Sequence, residues 1–113
     1  IPFTGLTGFV YAGDVAEILC QAMLEDFQGA PVINMPGITA TVEDFILEIK
    51  NQMPEATLSS EGSPLPVFGK IPTELSWSLS NNHDPTPLRT GIANTLEYYE
   101  SGNVNPQNPD DVL

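Results

Sequence analysis

In the stretch Gly8-Phe9-Val10-Tyr11-Ala12-Gly13-Asp14-Val15-Ala16-Glu17-Ile18-Leu19 the hydrophobic pattern changes its period. Gly8 to Tyr11 reads as a short strand, set off by the backbone breakers Gly5, Gly8 and Gly13. Beyond Asp14, the residues Val15, Ile18, Leu19, Ala22 and Met23 recur at i, i+3, i+4, i+7 and i+8, which puts them in one stripe along a helix. Asp14 and Glu17 have the spacing of a reciprocal cap, in which each side chain reaches the other's amide. The spacing predicts a helix over Val15–Asp26, ended near Gly29.

The same alternation continues downstream. Pro31-Val32-Ile33-Asn34-Met35 reads as a buried strand closed by the turn signal Pro36-Gly37. Thr41, with Asp44 three residues on, opens a second helix in which Val42, Phe45, Ile46, Ile49 and Met53 keep helical spacing, and Pro54 ends it. Ala56 to Ser60 is expected to be a third strand. Leu65-Pro66-Val67-Phe68 suits a short edge strand and Pro72 to Leu79 a single helical turn. A last helix is expected over Pro87–Glu100. Thr86 is its expected cap, Pro87 sits where a missing amide costs nothing, and Leu88, Ile92, Leu96 and Tyr99 form its stripe with Gly102 as terminator.

Strand, helix, strand, helix, strand with short connections favours parallel pairing through right-handed crossovers. The expected fold is therefore α/β, a small parallel or mixed sheet with about three helices over residues 1–102, followed by a polar tail over 103–113. Phe45, Ile46, Ile49, Leu19, Met23, Ile92 and Leu96 are its expected core. A sheet this small, covered on one face, leaves the other face wanting a partner.

Composition narrows the function. Fifteen acids against three bases give a net charge of −12, which repels phosphate backbones and anionic headgroups, so neither nucleic acid nor a membrane is an expected partner. Hydrophobic residues at 41% against 16% charged residues are a globular balance. Neither a membrane-spanning run nor a signal peptide is visible. The single Cys20 excludes an internal disulfide and fits a reducing compartment, so the expected location is the cytoplasm. Without a basic neighbour it is expected to be a buried, inert thiol. His83-Asp84, in a Ser-Asn-Asn-His-Asp-Pro context, reads as a solvated turn, and no metal site or catalytic residue is expected in the chain.

Three segments, in this order, resemble the carboxy-terminal half of the extended short-chain dehydrogenase/reductases, the group that holds NAD-dependent epimerases and dehydratases. The first is Phe9-Val10-Tyr11-Ala12-Gly13-Asp14-Val15-Ala16, similar to the family's aromatic-Val-His/Tyr strand end followed by Asp-Val-Ala. The second is Val32-Ile33-Asn34-Met35-Pro36-Gly37 with Thr41-Val42-Glu43-Asp44-Phe45-Ile46, similar to the family's Tyr-Asn-Val-Gly strand end and the helix after it. The third is Thr86-Pro87-Leu88-Arg89-Thr90-Gly91-Ile92 with Thr95-Leu96-Glu97, similar to the closing helix. Together they span Phe9 to Tyr99.

The resemblance implies the substrate-side domain of an NAD(P)-dependent epimerase, dehydratase or reductase acting on a sugar-like or polyol substrate. It also shows what the chain lacks. Gly5-Leu6-Thr7-Gly8 leads into a strand and has the wrong spacing for the Gly-rich turn that seats a dinucleotide at a helix N-terminus. Lys50 and Lys70 have Ile46 and Pro66 where the family's catalytic Tyr stands four positions before a Lys. The chain, which opens abruptly on Ile1-Pro2-Phe3, is thus expected to be a piece of a longer enzyme. By itself it is expected to bind no cofactor, with NAD or NADP held by the missing nucleotide-binding half, and to be inactive alone.

Candidate substrate contacts are Tyr11, Phe9, Asn34 and Arg89. Three of them have a plain structural reading beside the functional one. Tyr11 also suits a core edge, Asn34 suits a side-chain-to-backbone bond that holds a turn, and Arg89 suits i,i+4 pairing or capping on the last helix. The rival function is a stand-alone, non-enzymatic binding or assembly module. That reading expects a homo-oligomer with Phe9–Tyr11 and Val32–Met35 near the contact.

Overall fold

A strand of four residues, β1 (Leu6–Phe9), pairs antiparallel with β2 (Ile38–Thr41) in the register Leu6 to Thr41, Thr7 to Ala40, Gly8 to Thr39 and Phe9 to Ile38. One further backbone bond, from the Val42 amide to the Gly5 carbonyl at 3.0 Å, extends the ladder past the strand ends. Gly5 makes this exit with φ of +79°, a conformation that glycine adopts without steric cost. The computed structural model describes residues 1–35, 37–66, 74–80 and 84–102. Among these, four helices accompany the two strands: α1 (Ala12–Leu24), α2 (Val42–Gln52), the short α3 (Glu74–Leu79) and α4 (Leu88–Glu100). The protein is a small mixed α/β structure.

The expected parallel sheet is not formed. The segment that pairs with β1 begins three residues beyond Met35, and it runs the other way. Pro31-Val32-Ile33-Asn34-Met35 is instead irregular, with Val32 82% exposed. Prolines at both ends of that run remove amide donors that a ladder needs. Ala56 to Ser60 is likewise irregular. Its neighbourhood is tied down by the first residues of the chain: Ile1 donates to the Ser59 carbonyl at 2.8 Å and Glu61 to the Ile1 carbonyl at 3.0 Å. A parallel bridge joins Thr4 to Pro64, isolated from the two-stranded sheet. Leu65 and Pro66 are irregular, while Val67, Phe68, His83 and the tail 103–113 lie outside the described residues.

Helix boundaries follow local chemistry where that chemistry stays local. At α2, the Thr41 hydroxyl accepts from the Asp44 amide at 3.0 Å, and the Asp44 carboxylate accepts from both the Thr41 hydroxyl and its amide. The capping box is complete, and these bonds, the Thr41 hydroxyl first and its amide second, hold the Asp44 carboxyl below the ordinary carboxylate range. At the far end of α4 the Ser101 amide reaches the Glu97 carbonyl and the Gly102 amide the Tyr99 carbonyl, with Gly102 at φ +75°. Gly102 is therefore the terminator the sequence suggested.

Two expected caps take other roles. Helix α1 starts at Ala12, ahead of Val15, and its N-cap Tyr11 makes no side-chain cap. Asp14 lies inside the first turn, so its carboxylate is not the cap of this helix. The helix ends at Leu24 rather than Asp26, and Gly29 turns the chain later at φ +82°. Pro87, not Thr86, is the N-cap of α4.

Helix α2 packs against β2 and α4, while α3 packs on α1. Ile18, Val42, Ile46, Leu79 and Ile92 are buried, together with Ser76 and Ser80. Phe45, Ile49 and Leu96 are half-buried. Leu19 and Met23 are exposed, Met23 at 85%, contrary to the core read from the helical stripe. The buried line of α1 runs through Ile18 alone, so the apolar stripe is wider than the surface the described neighbours cover. Cys20 is exposed rather than buried. Among the described residues, no helix is long and apolar enough to cross a membrane.

Candidate functional site

The end of β1, the start of α1 and one face of α4 border a cavity of about 370 Å³ that is open to solvent on one side, inside the range of roughly 300–1,000 Å³ typical of small-molecule sites. Phe9, Val10, Tyr11 and Ala12 contribute the strand-to-helix junction. Ile38, Phe45 and Ile49 come from β2 and α2. The third wall is Thr86 and the face of α4 carrying Leu88, Gly91, Ile92, Thr95 and Leu96. Phe9 and Phe45 stack, with centroids 4.6 Å apart and planes inclined by 13°, so the wall between strand and helix is a rigid aromatic pair.

Two glycines border the junction, and they differ in what a side chain there would meet. A Cβ on Gly91 would meet the Tyr11 side chain at 3.5 to 3.6 Å, so the ring lies beside α4 with room for a methyl group between them. A Cβ on Gly37 would run into the Phe9 carbonyl oxygen, so β2 can start beside β1 because residue 37 has no side chain. At Gly91 the contact is ordinary van der Waals distance, and the residue lies inside a helix. Gly91→Ala is therefore expected to stabilise the protein by about 0.5–1 kcal/mol, read as a higher urea midpoint at unchanged slope. A lower midpoint would mean that the ring cannot accommodate even a methyl group.

The polar groups at the cavity are few and mostly engaged. Asp14 of α1 accepts from the Thr86 amide at 2.9 Å and from the Thr86 hydroxyl. This bond spans 72 positions in sequence and fixes the entry of α4 against the start of α1. The Thr95 hydroxyl donates to the Gly91 carbonyl at 2.7 Å, within its own helix. The Tyr11 hydroxyl has no hydrogen-bond partner among the described residues.

Of the four expected contacts, Phe9 and Tyr11 line the cavity and Asn34 and Arg89 do not. Asn34 is half-buried in the connection between α1 and β2. Arg89 is 81% exposed and lies 3.7 Å from the Glu48 carboxylate of α2, so its ion pair crosses between helices instead of running along α4. Gln52 closes the same clasp, donating to Glu48 at 2.9 Å and to the Arg89 carbonyl at 3.1 Å. Thr86, Phe45 and Gly91 were not singled out as site residues. Their place at the cavity depends on how α4 docks, which no local pattern reports.

No family model, curated protein or solved structure matches this chain.

The segment Gly5–Gly8 and the start of α1 do not form a dinucleotide-binding turn. Leu6 to Gly8 lie within β1, and the first turn of α1 carries the Asp14 carboxylate, which opposes a pyrophosphate at that helix N-terminus. Among the described residues no three His, Cys, Asp or Glu side chains gather as metal ligands.

Proposed function

We propose that this chain is the substrate-side portion of an enzyme of the extended short-chain dehydrogenase/reductase type, acting by NAD(P)-dependent epimerase, dehydratase or reductase chemistry. In this reading the cavity holds the substrate, and a nucleotide-binding half outside these residues supplies the cofactor and the catalytic groups. A sugar-like or polyol substrate is the class the resemblance implies. The observation that supports the reading best is convergence. The first and third segments of the resemblance, Phe9–Ala16 and Thr86–Glu97, meet at one cavity with Phe45 of the second, whose Val32–Met35 part is not among the lining residues, and Asp14 of the first is bonded to Thr86 of the third. Segments so far apart in sequence meet only through tertiary packing, and a concave, mostly apolar site with a few polar groups is the kind that takes small molecules.

A second reading, a binding or assembly module, is favoured by the apolar side chains left in solvent, with Met23, Leu24 and Val32 each at least 80% exposed. One set of measurements separates the two. The chain alone is expected to give no heat with NAD⁺ or NADP⁺ in calorimetry. Joined to a preceding segment carrying a Gly-rich turn and Tyr-x-x-x-Lys, it is expected to give cofactor-dependent turnover. Micromolar cofactor binding by the chain alone would overturn the first reading. Upstream coding sequence without those motifs, together with a stable oligomer in the ultracentrifuge, would favour the second.

A further inference from the structure

The chemistry of the cavity wall narrows what it can hold. Among the described residues its side chains are aromatic and aliphatic apart from the hydroxyls of Tyr11, Thr86 and Thr95, and none of these lining residues is charged. Both threonine hydroxyl protons are already donated, one to Asp14 and one to the Gly91 carbonyl. The Tyr11 hydroxyl is the remaining unengaged hydroxyl donor of the wall among the described residues. A sugar or polyol carries a hydroxyl on nearly every carbon, and each must keep a partner when it leaves water or cost a desolvation penalty. This wall has few partners to give. A hydrocarbon body gives up no hydrogen bonds on entering it and gains by leaving water.

We infer that the cavity takes an aromatic or branched-aliphatic group bearing a single hydroxyl or carbonyl, with that one polar atom hydrogen-bonded to Tyr11 and the body between the Phe9–Phe45 pair and α4. As a statement about substrate, this rests on the enzyme reading above. It replaces the polyhydroxylated class by a largely apolar one, or confines the hydroxyl-rich part of a larger substrate to the other half of the enzyme. The flat Tyr11 ring against the glycine surface of α4 and the stacked phenylalanines offer planar faces, which suit a planar ligand.

The test is an NMR titration of the ¹⁵N-labelled full chain with four probes: 2-naphthol, naphthalene, glucose and myo-inositol. Saturable shifts from 2-naphthol are expected at Val10, Ala12, Gly91 and Thr95, with a Kd at least about tenfold below that of either polyol. Tyr11→Phe is expected to weaken 2-naphthol by about three- to tenfold, the worth of one hydrogen bond, and to leave naphthalene unchanged. Thr95→Trp, at an exposed position on the cavity wall, is expected to abolish binding of both while circular dichroism reports an intact fold. Glucose or inositol binding as tightly as 2-naphthol at these amides overturns the inference. So does an absence of 2-naphthol shifts in folded protein, or undiminished binding in Thr95→Trp. The two levels fail separately: polyol binding here would sink the apolar class and leave the enzyme reading standing. Upstream sequence without cofactor motifs would do the reverse.

Discussion

Gly37→Ala is expected to lower the stability of the protein by about 2–3 kcal/mol, the upper part of the range for forcing a methyl group into a filled space. The obstacle is the Phe9 carbonyl oxygen, a backbone atom that cannot swing aside as a side chain can, with the Val10 side chain 2.9 Å away behind it. Relief requires β2 to move off β1 at the Phe9–Ile38 end of the ladder, and this also disturbs the stacking of Phe9 on Phe45. Gly8→Ala provides the control on the same strand pair. A Cβ on Gly8 meets no atom within 4 Å, and alanine loses less backbone entropy than glycine in a strand, so that variant is expected to stay within about 0.5 kcal/mol of the parent protein. Urea denaturation measures both. Equal midpoints for the two variants would show that the close approach at Gly37 is not what sets the start of β2.

The contrast between these glycines bears on how much of the fold the sequence discloses. Both sit among strand-like residues, and a sequence reads them alike, as breakers. Whether a Cβ meets a carbonyl or open space is set by the partner strand, about 30 positions away. The elements that can be read locally are those whose determinants lie within one turn of the chain. Thr41 and Asp44 cap α2 with bonds three residues apart, and Gly102 closes α4 on a carbonyl three residues back. Pairing direction is not of this kind. The apolar run Pro31–Met35 has the composition of a buried strand, but composition carries no information on which strand lies beside it. In the enzyme reading its partner would belong to the other half, and the exposure of Val32 is then the face such a partner covers.

The candidate site divides the same way. Phe9 and Tyr11 are legible because a strand end beside a helix start is a local feature that borders a cleft. Arg89 looked available for a ligand because positive charge is scarce in this chain, yet its position on α4 brings it to Glu48 on α2 instead. Thr86 and Asp14 each looked like helix caps, and the sequence supported that reading on spacing alone. The fold instead joins them to each other.

That bond is the basis of the second large effect. Asp14→Ala removes the acceptor for both the Thr86 amide and its hydroxyl, leaving a half-buried backbone donor without its partner. Hydrogen bonds to a carboxylate contribute about 1.5–3 kcal/mol each, and a stranded buried donor costs about 1–3 kcal/mol. With the site only half-buried, the expected loss is about 2–3 kcal/mol in total. Thr86→Val removes the hydroxyl but keeps the amide bond, so it is expected to cost about 1 kcal/mol. The double variant should therefore cost less than the two losses added, with a coupling energy of about 1 kcal/mol. If Asp14 served chiefly α1, as its place in the first turn suggests, the losses would simply add, and Asp14→Ala would lower α1 helicity without touching α4. The pair instead joins the first and third walls of the cavity. Its removal is thus expected to broaden the Gly91 and Thr95 amide resonances on α4, which an effect confined to α1 would leave sharp. Additive losses combined with sharp α4 resonances would show that the contact does not hold the cavity together.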